Sequence, residues 1–159
     1  PLDEKVLTFR FAQNVVCLGA FQDNKVIGCL WMCFDAYEED EIRCVFRLDP
    51  ASSTSWDFDV YLHPDARIGF AFLRLWDEAN AILRARGTSW SLSRISGFNP
   101  GSMASHTRMG ATRVGGLVAL KGPRRQLVFS TYAPRFSFRR LDRPLPEYAV
   151  SPPRDADIR

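Results

Sequence analysis

The sequence has no apolar run that approaches the roughly 20 residues needed to span a bilayer, so no transmembrane segment is expected. No charged leader followed by an apolar stretch reads as a signal peptide. The chain begins at Pro1 rather than at methionine, and both natural termini stay open. Histidine is scarce: His63 and His106 are the only two. The four cysteines, Cys17, Cys29, Cys33 and Cys44, form no Cys-x-x-Cys pair and have no histidine at zinc-ligand spacing. A metal site is therefore not expected. Three of them sit inside apolar runs, where cysteine acts as a small hydrophobe, so free thiols in a reducing cytoplasm are expected. No helix carries an Arg/Lys stripe interleaved with aromatics, which argues against specific nucleic-acid binding. Internal repeats are absent.

What is present is a soluble globular composition, 46% hydrophobic and 25% charged over 159 residues. That length suits one domain with a sizeable core. The net charge of +3 is mild but uneven, because eight of the 18 arginines lie between Arg124 and Arg159. Five prolines follow Tyr132 within the same stretch. The expected organisation is a body over 1–131 and a Pro/Arg-rich tail over 132–159, solvated, with nucleic acid or anionic lipid as the other reading of its charge.

Along the chain, residues 6–11 alternate like a strand but equally suit the end of a helix. Residues 15–21 and 25–34 read as a hairpin around Gln22-Asp23-Asn24. The run from Asp35 to Glu41 is expected as an acidic, solvated loop, with a strand following over 42–48. Residues 56–62 form the next strand, and alternation puts Asp57, Asp59 and Tyr61 on one face and Trp56, Phe58, Val60 and Leu62 on the other. From 68 to 86 the period changes: Phe72, Leu75, Trp76, Ala79, Ile82 and Leu83 recur at helical spacing, and Gly87 closes the helix. A strand over 89–96, a turn at Gly97-Phe98-Asn99-Pro100, a short helix over 102–109 stopped by Gly110, and strands over 114–120 and 126–131 complete the order. A hairpin followed by β, α, β, α, β, β implies an α/β or α+β sheet with a parallel pair near its middle.

Two turns carry chemistry. The turn from Leu62 to Phe72 ends a strand and opens a helix, so its backbone N–H groups and the helix dipole favour an anion. Gly69 and Ala71 allow close approach, and Arg67 can pair with a phosphate. Asn99, Ser102, His106 and Gly110 then recur at i, i+3, i+7 and i+11, near one helical stripe. A histidine so placed can move a proton.

The element order and both turns resemble the GNAT family of acyl-CoA-dependent N-acyltransferases. Leu62-His63-Pro64 matches the family's hydrophobic-x-Pro at the end of the central strand. Gly69 and Ala71 match its Arg/Gln-x-x-Gly-x-Gly/Ala loop, although Ala66 stands at the Arg/Gln position and Arg67 one place later. Asn99, Ser102 and Gly110 match Asn-x-x-Ala/Ser-x-x-x-Tyr-x-x-x-Gly-Phe, with His106 at the tyrosine and Ala111 at the phenylalanine. Val26-Ile27-Gly28 fits the preceding hairpin. The likeness runs over about 15–131. Two substrate-side helices, normally between the first two strands, are absent or upstream of Pro1.

The resemblance implies a mixed, mostly antiparallel sheet with a central parallel pair and flanking helices. It implies acetyl-CoA as co-substrate, held by Tyr61, Leu62, Arg67, Ile68, Gly69, Phe70, Ala71, Asn99 and Ser102. It also implies acetyl transfer to a primary amine of a small molecule or peptide; the oligomeric state is left open, a homodimer included. His106 takes the place of the tyrosine that protonates the departing thiolate, and Asp57 and Asp59 are the base candidates. The alternatives are a long-chain acyl or aminoacyl donor on the same fold, and a non-catalytic binding or dimerisation module.

Overall fold

A computed structural model describes residues 3–39, 41–67 and 69–153. In chain order the elements are α1 (Glu4–Phe11), β1 (Val15–Gln22), β2 (Lys25–Cys33), β3 (Ala36–Glu39), β4 (Cys44–Leu48), β5 (Thr54–Leu62), α2 (Ala71–Ala85), β6 (Trp90–Ser93), α3 (Pro100–Arg108), β7 (Leu117–Lys121), β8 (Arg125–Ser130), β9 (Phe136–Arg140) and β10 (Glu147–Val150). They gather into two compact units. One holds the described chain up to Tyr37 with Pro50–Ser93; the other holds Glu38–Asp49 with the described chain from Arg94 onward.

The first unit is a four-stranded sheet in the order β1-β2-β5-β6. Asp23 and Asn24 both take positive φ, +50° and +59°, so the β1–β2 connection is the tight turn whose twist matches its strands. The ambiguous residues 6–11 are helical: the Asp3 carboxylate accepts from the Lys5 N–H at 3.1 Å and starts α1. The β1–β2 and β2–β5 pairs are antiparallel, and β5–β6 is parallel. The mixed, mostly antiparallel sheet is thus present. On one side α2 lays Leu75, Ala79 and Leu83 against Leu30, Met32 and Leu62. Each leucine so buried contributes about 2 kcal/mol.

The other side is aromatic. Trp31 stacks on Phe58 at 6.0 Å, and Phe58 on Tyr37 at 4.3 Å. Arg10 of α1, only 7% exposed, lies over the Trp31 and Phe58 rings at 5.2 and 5.3 Å.

The alternation expected along residues 56–62 does not hold. Between the pairs Trp31↔Phe58 and Cys29↔Tyr61, the two residues Asp59 and Val60 stand opposite the single residue Leu30. Asp59 sits at φ +47°. This is a β-bulge, which resets the faces. Trp56, Phe58 and Tyr61 therefore share the aromatic side, while Asp57, opposite Met32, and Leu62, opposite Gly28, share the α2 side.

Two three-stranded sheets follow, β10-β4-β3 and β7-β8-β9; β4 and β7 to β10 belong to the second unit, which takes β3 only from Glu38. The acidic run expected as a loop contributes β3. Glu39, 3% exposed, receives the Arg94 guanidinium at 3.2 Å and the Ile42 N–H at 2.9 Å, so ion pairing and backbone bonds offset its desolvation. Asp40 lies outside the described residues. Of the expected tail, residues 132–153 are described and carry β9 and β10. β10 pairs parallel with β4 and buries Tyr148 and Val150.

The cysteines are free thiols. Burial first, then the charges of Asp57 and Asp35, pushes Cys33 up to about 12. Burial first, then Glu39, pushes Cys44 up to about 12. Unfolded thiols ionise near 8.5. Above that pH the unfolded chain releases protons that the folded chain keeps, so stability is full at neutral pH and falls as pH rises toward 12. Denaturant midpoints are expected to fall above about pH 9, each of these two thiols contributing about 1.4 kcal/mol per pH unit. A Cys33→Ala/Cys44→Ala variant should reduce that slope without abolishing it, because burial also pushes Cys17 up to about 11; an unchanged slope would refute the account.

Candidate functional site

In the first unit, β5 and β6 pair only from Thr54↔Trp90 to Asp57↔Ser93. β5 continues to Leu62. From Phe58 onward it keeps β2 on one side and, among the described residues, has no strand on the other. The Asp59 bulge lies on this open length. Tyr61 is half-exposed there, whereas the Leu62 side chain is in the core and can offer a ligand only its backbone.

Beyond Leu62 the chain makes a tight helical turn at Pro64–Ala66 and enters α2 at Ala71. Not all the amides of this turn are free for an anion, as the sequence had suggested. Those of Ala66, Arg67 and Gly69 already donate to the carbonyls of His63, Pro64 and Ala66, at 2.9, 3.2 and 3.4 Å. Arg67 Nε donates to the Leu62 carbonyl at 3.1 Å, which holds the guanidinium beside the strand end. Among the described residues no side chain caps α2 at Phe70, which leaves its first-turn amides and dipole for an anion. A Cβ on Gly69 would meet only the Ala66 carbonyl, at 3.9 Å, so protein atoms leave that space clear. Ile68 lies outside the described residues. A cavity of about 610 Å³ between β1 and α2 shares Gly69, Phe70 and Ala71 with this turn. Its Asp65 and Glu78 outnumber Arg74, which is the wrong charge for a polyphosphate.

The bulge also separates the two carboxylates expected to share a face. Asp57, 4% exposed, accepts from Ser91 Oγ at 2.7 Å and ties β5 to β6. Asp59 accepts from Arg10 Nη1 at 2.6 Å, with its side chain 41% exposed. Arg10 and Ser91 were missed in the sequence. An arginine among the aromatics of residues 6–11 was the one available sign of the first; Ser91 carries none.

In the second unit, Asn99 caps α3: its Oδ1 accepts from the Ser102 N–H at 3.0 Å, and Pro100 takes the first helical position. His106 Nδ1 lies 2.8 Å from the Ser102 carbonyl and 3.5 Å from Ser102 Oγ. A carbonyl only accepts, so Nδ1 carries the hydrogen and Nε2 holds the lone pair in the neutral ring. Gly110, at φ +86°, ends the helix.

The sequence matches no family model and no curated protein. Solved structures do match. One is an aminoglycoside acetyltransferase from an uncultured soil metagenomic sample, in complex with trehalose, at TM-score 0.51 and 13% identity over 77% of this chain and 74% of that one. Another is a Trypanosoma brucei acetyltransferase, at TM-score 0.51 and 13% identity over 77% and 82%. The chain has the GNAT fold. An integron cassette protein from V. cholerae aligns with it as well, at TM-score 0.53 and 14% identity over 77% and 75%. At such identities the likeness is one of GNAT architecture.

Proposed function

We propose that the chain is an acyl-CoA-dependent N-acyltransferase that moves an acetyl group from acetyl-CoA to a primary amine of a small molecule or peptide. The observation that carries this reading is the open length of β5, Phe58 to Leu62, leading into the uncapped start of α2. An extended chain bearing amides needs strand-edge partners, and a pyrophosphate needs unneutralised amides beside a cation. The backbone of Tyr61 and Leu62 takes the pantetheine arm and polarises the thioester oxygen. Arg67 and the Gly69–Ala71 segment hold the pyrophosphate. Asn99 and Ser102 are proposed as further donors to the cofactor; Asn99 keeps its Nδ2 hydrogens for this while Oδ1 caps α3.

Transfer requires the ammonium to lose a proton, its nitrogen to form a C–N bond as the C–S bond breaks, and the thiolate to be protonated. Asp59 is the better base of the two aspartates, because Asp57 is buried behind Ser91. His106 is the proposed acid. With Nδ1–H held by Ser102, the donated proton leaves from Nε2 of the imidazolium. The free thiols support a reducing, cytoplasmic setting.

Calorimetric titration tests the cofactor. Micromolar binding of acetyl-CoA and desulfo-CoA is expected. Gly69→Glu should weaken it at least tenfold by placing a carboxylate beside the open amides, without disturbing the fold. Absence of binding to any CoA ester would overturn the proposal.

A further inference from the structure

The sheet β7-β8-β9 has two unlike faces. Its inner face buries Gln126 and Val128 completely. On its outer face the register lines up Val118↔Phe129↔Phe136 in one cross-strand row and Leu120↔Leu127↔Phe138 in the next. Five of these six side chains are exposed large hydrophobics, from 50% for Phe129 to 62% for Val118. The three phenylalanines alone leave roughly 100 Å² each in solvent. With the two aliphatics the patch reaches roughly 500 Å², the size of the largest apolar patch on an ordinary monomer, and patches of that size are often functional. A third row, Arg125↔Arg140, borders it. Between Leu117 and Arg143 there are seven basic residues and a single acidic one, Asp142.

We propose that this face docks on an anionic lipid surface, independently of the acyltransferase reading. Apolar rows beside arginines suit a peripheral contact: the rings enter the headgroup boundary while the guanidinium groups meet lipid phosphates. No helix among the described residues is long and apolar enough to cross a membrane. A second copy of the chain fits less well, because two such faces would bring arginine rows of like sign together. Single-stranded nucleic acid fits less well too. Phe129 and Phe136 pack edge-on, 5.4 Å apart at 61°, and the Arg125 guanidinium covers Phe138 at 5.5 Å, which leaves no splayed ring for a base. The strand hydroxyls and amides, Gln126, Ser130 and Ser137, alternate to the other face.

The test is co-sedimentation of the whole chain with vesicles of phosphatidylcholine alone and of phosphatidylcholine mixed with phosphatidylglycerol. Binding is expected to the mixed vesicles and not to the neutral ones, and should fall as salt rises. Phe136→Ser with Phe138→Ser should weaken it at least tenfold, and Arg125→Ala about fivefold. Both substitutions change exposed side chains, so circular dichroism should stay unchanged. Equal binding to both vesicle types, or full binding by the phenylalanine variant, would overturn the proposal. So would a stable dimer that this variant dissociates, or binding of a single-stranded oligonucleotide that this variant loses.

Discussion

Replacing Gly28 with valine is expected to lower stability by about 3 kcal/mol, which for a chain of this size is a fall of about 6–12 °C in Tm. Gly28 stands opposite Leu62 across the β2–β5 seam. A Cβ there would lie 2.5 Å from Leu62 Cδ2 and 2.8 Å from the Tyr61 carbonyl oxygen. Neither neighbour can yield cheaply. Leu62 is held in the core by Leu30, Met32 and the buried stripe of α2, and the Tyr61 carbonyl belongs to a strand paired with β2. Moving either shifts the end of β5 toward the turn that opens α2. Gly69→Ala is the control: its Cβ has clear space, so it should change stability by no more than about 0.5 kcal/mol. Differential scanning calorimetry on both variants decides the matter. An unchanged Tm for Gly28→Val would show that the seam is looser than its distances indicate.

For Asp59→Gly, kcat is expected to fall about 100-fold while the fold survives. Asp59 holds a left-handed conformation that costs an ordinary residue about 1 kcal/mol or more, and its carboxylate pairs with Arg10. Glycine takes the same φ without strain. That gain offsets much of the lost ion pair, whose worth is reduced by the carboxylate's 41% exposure. Arg10 still has the faces of Trp31 and Phe58. Net stability should therefore shift by less than about 1 kcal/mol. Activity and stability separate in this variant, which is why it is more informative than alanine. If Asp59 serves only the bulge, glycine keeps the bulge and kcat stays near that of the parent. A kinetic comparison at one pH, with the Tm measured alongside, distinguishes the two.

Some of this was readable before any coordinates, at positions where the deciding interaction lies within a few residues. Asp23-Asn24 dictates a tight hairpin because both residues tolerate positive φ. The short helix over 102–109 was legible too, although α3 starts two residues earlier, at Pro100, because the Asn99 side chain caps it within the stretch expected as a turn. Apolar spacing at three and four residues dictates α2, whose buried stripe is the one the periodicity picked out. Gly87 and Gly110 stop their helices at positive φ.

Other features were decided only when distant segments met. The run around Glu39 is polar enough to read as a loop, yet it forms β3 because Arg94, far along the chain, supplies the counter-charge that lets Glu39 be buried. The faces of β5 could not be read from alternation. A bulge is a property of a strand pair, set here by Leu30 opposite two residues and by Arg10 pairing with the one that bends. The same holds for the open length of β5: it exists because β6 stops pairing at Ser93, and no residue within β5 encodes where its neighbour ends. Periods and caps, being local, are written in the sequence. Register, bulge and the partner of a buried charge are sums over residues remote in sequence, and only the folded chain brings those terms together.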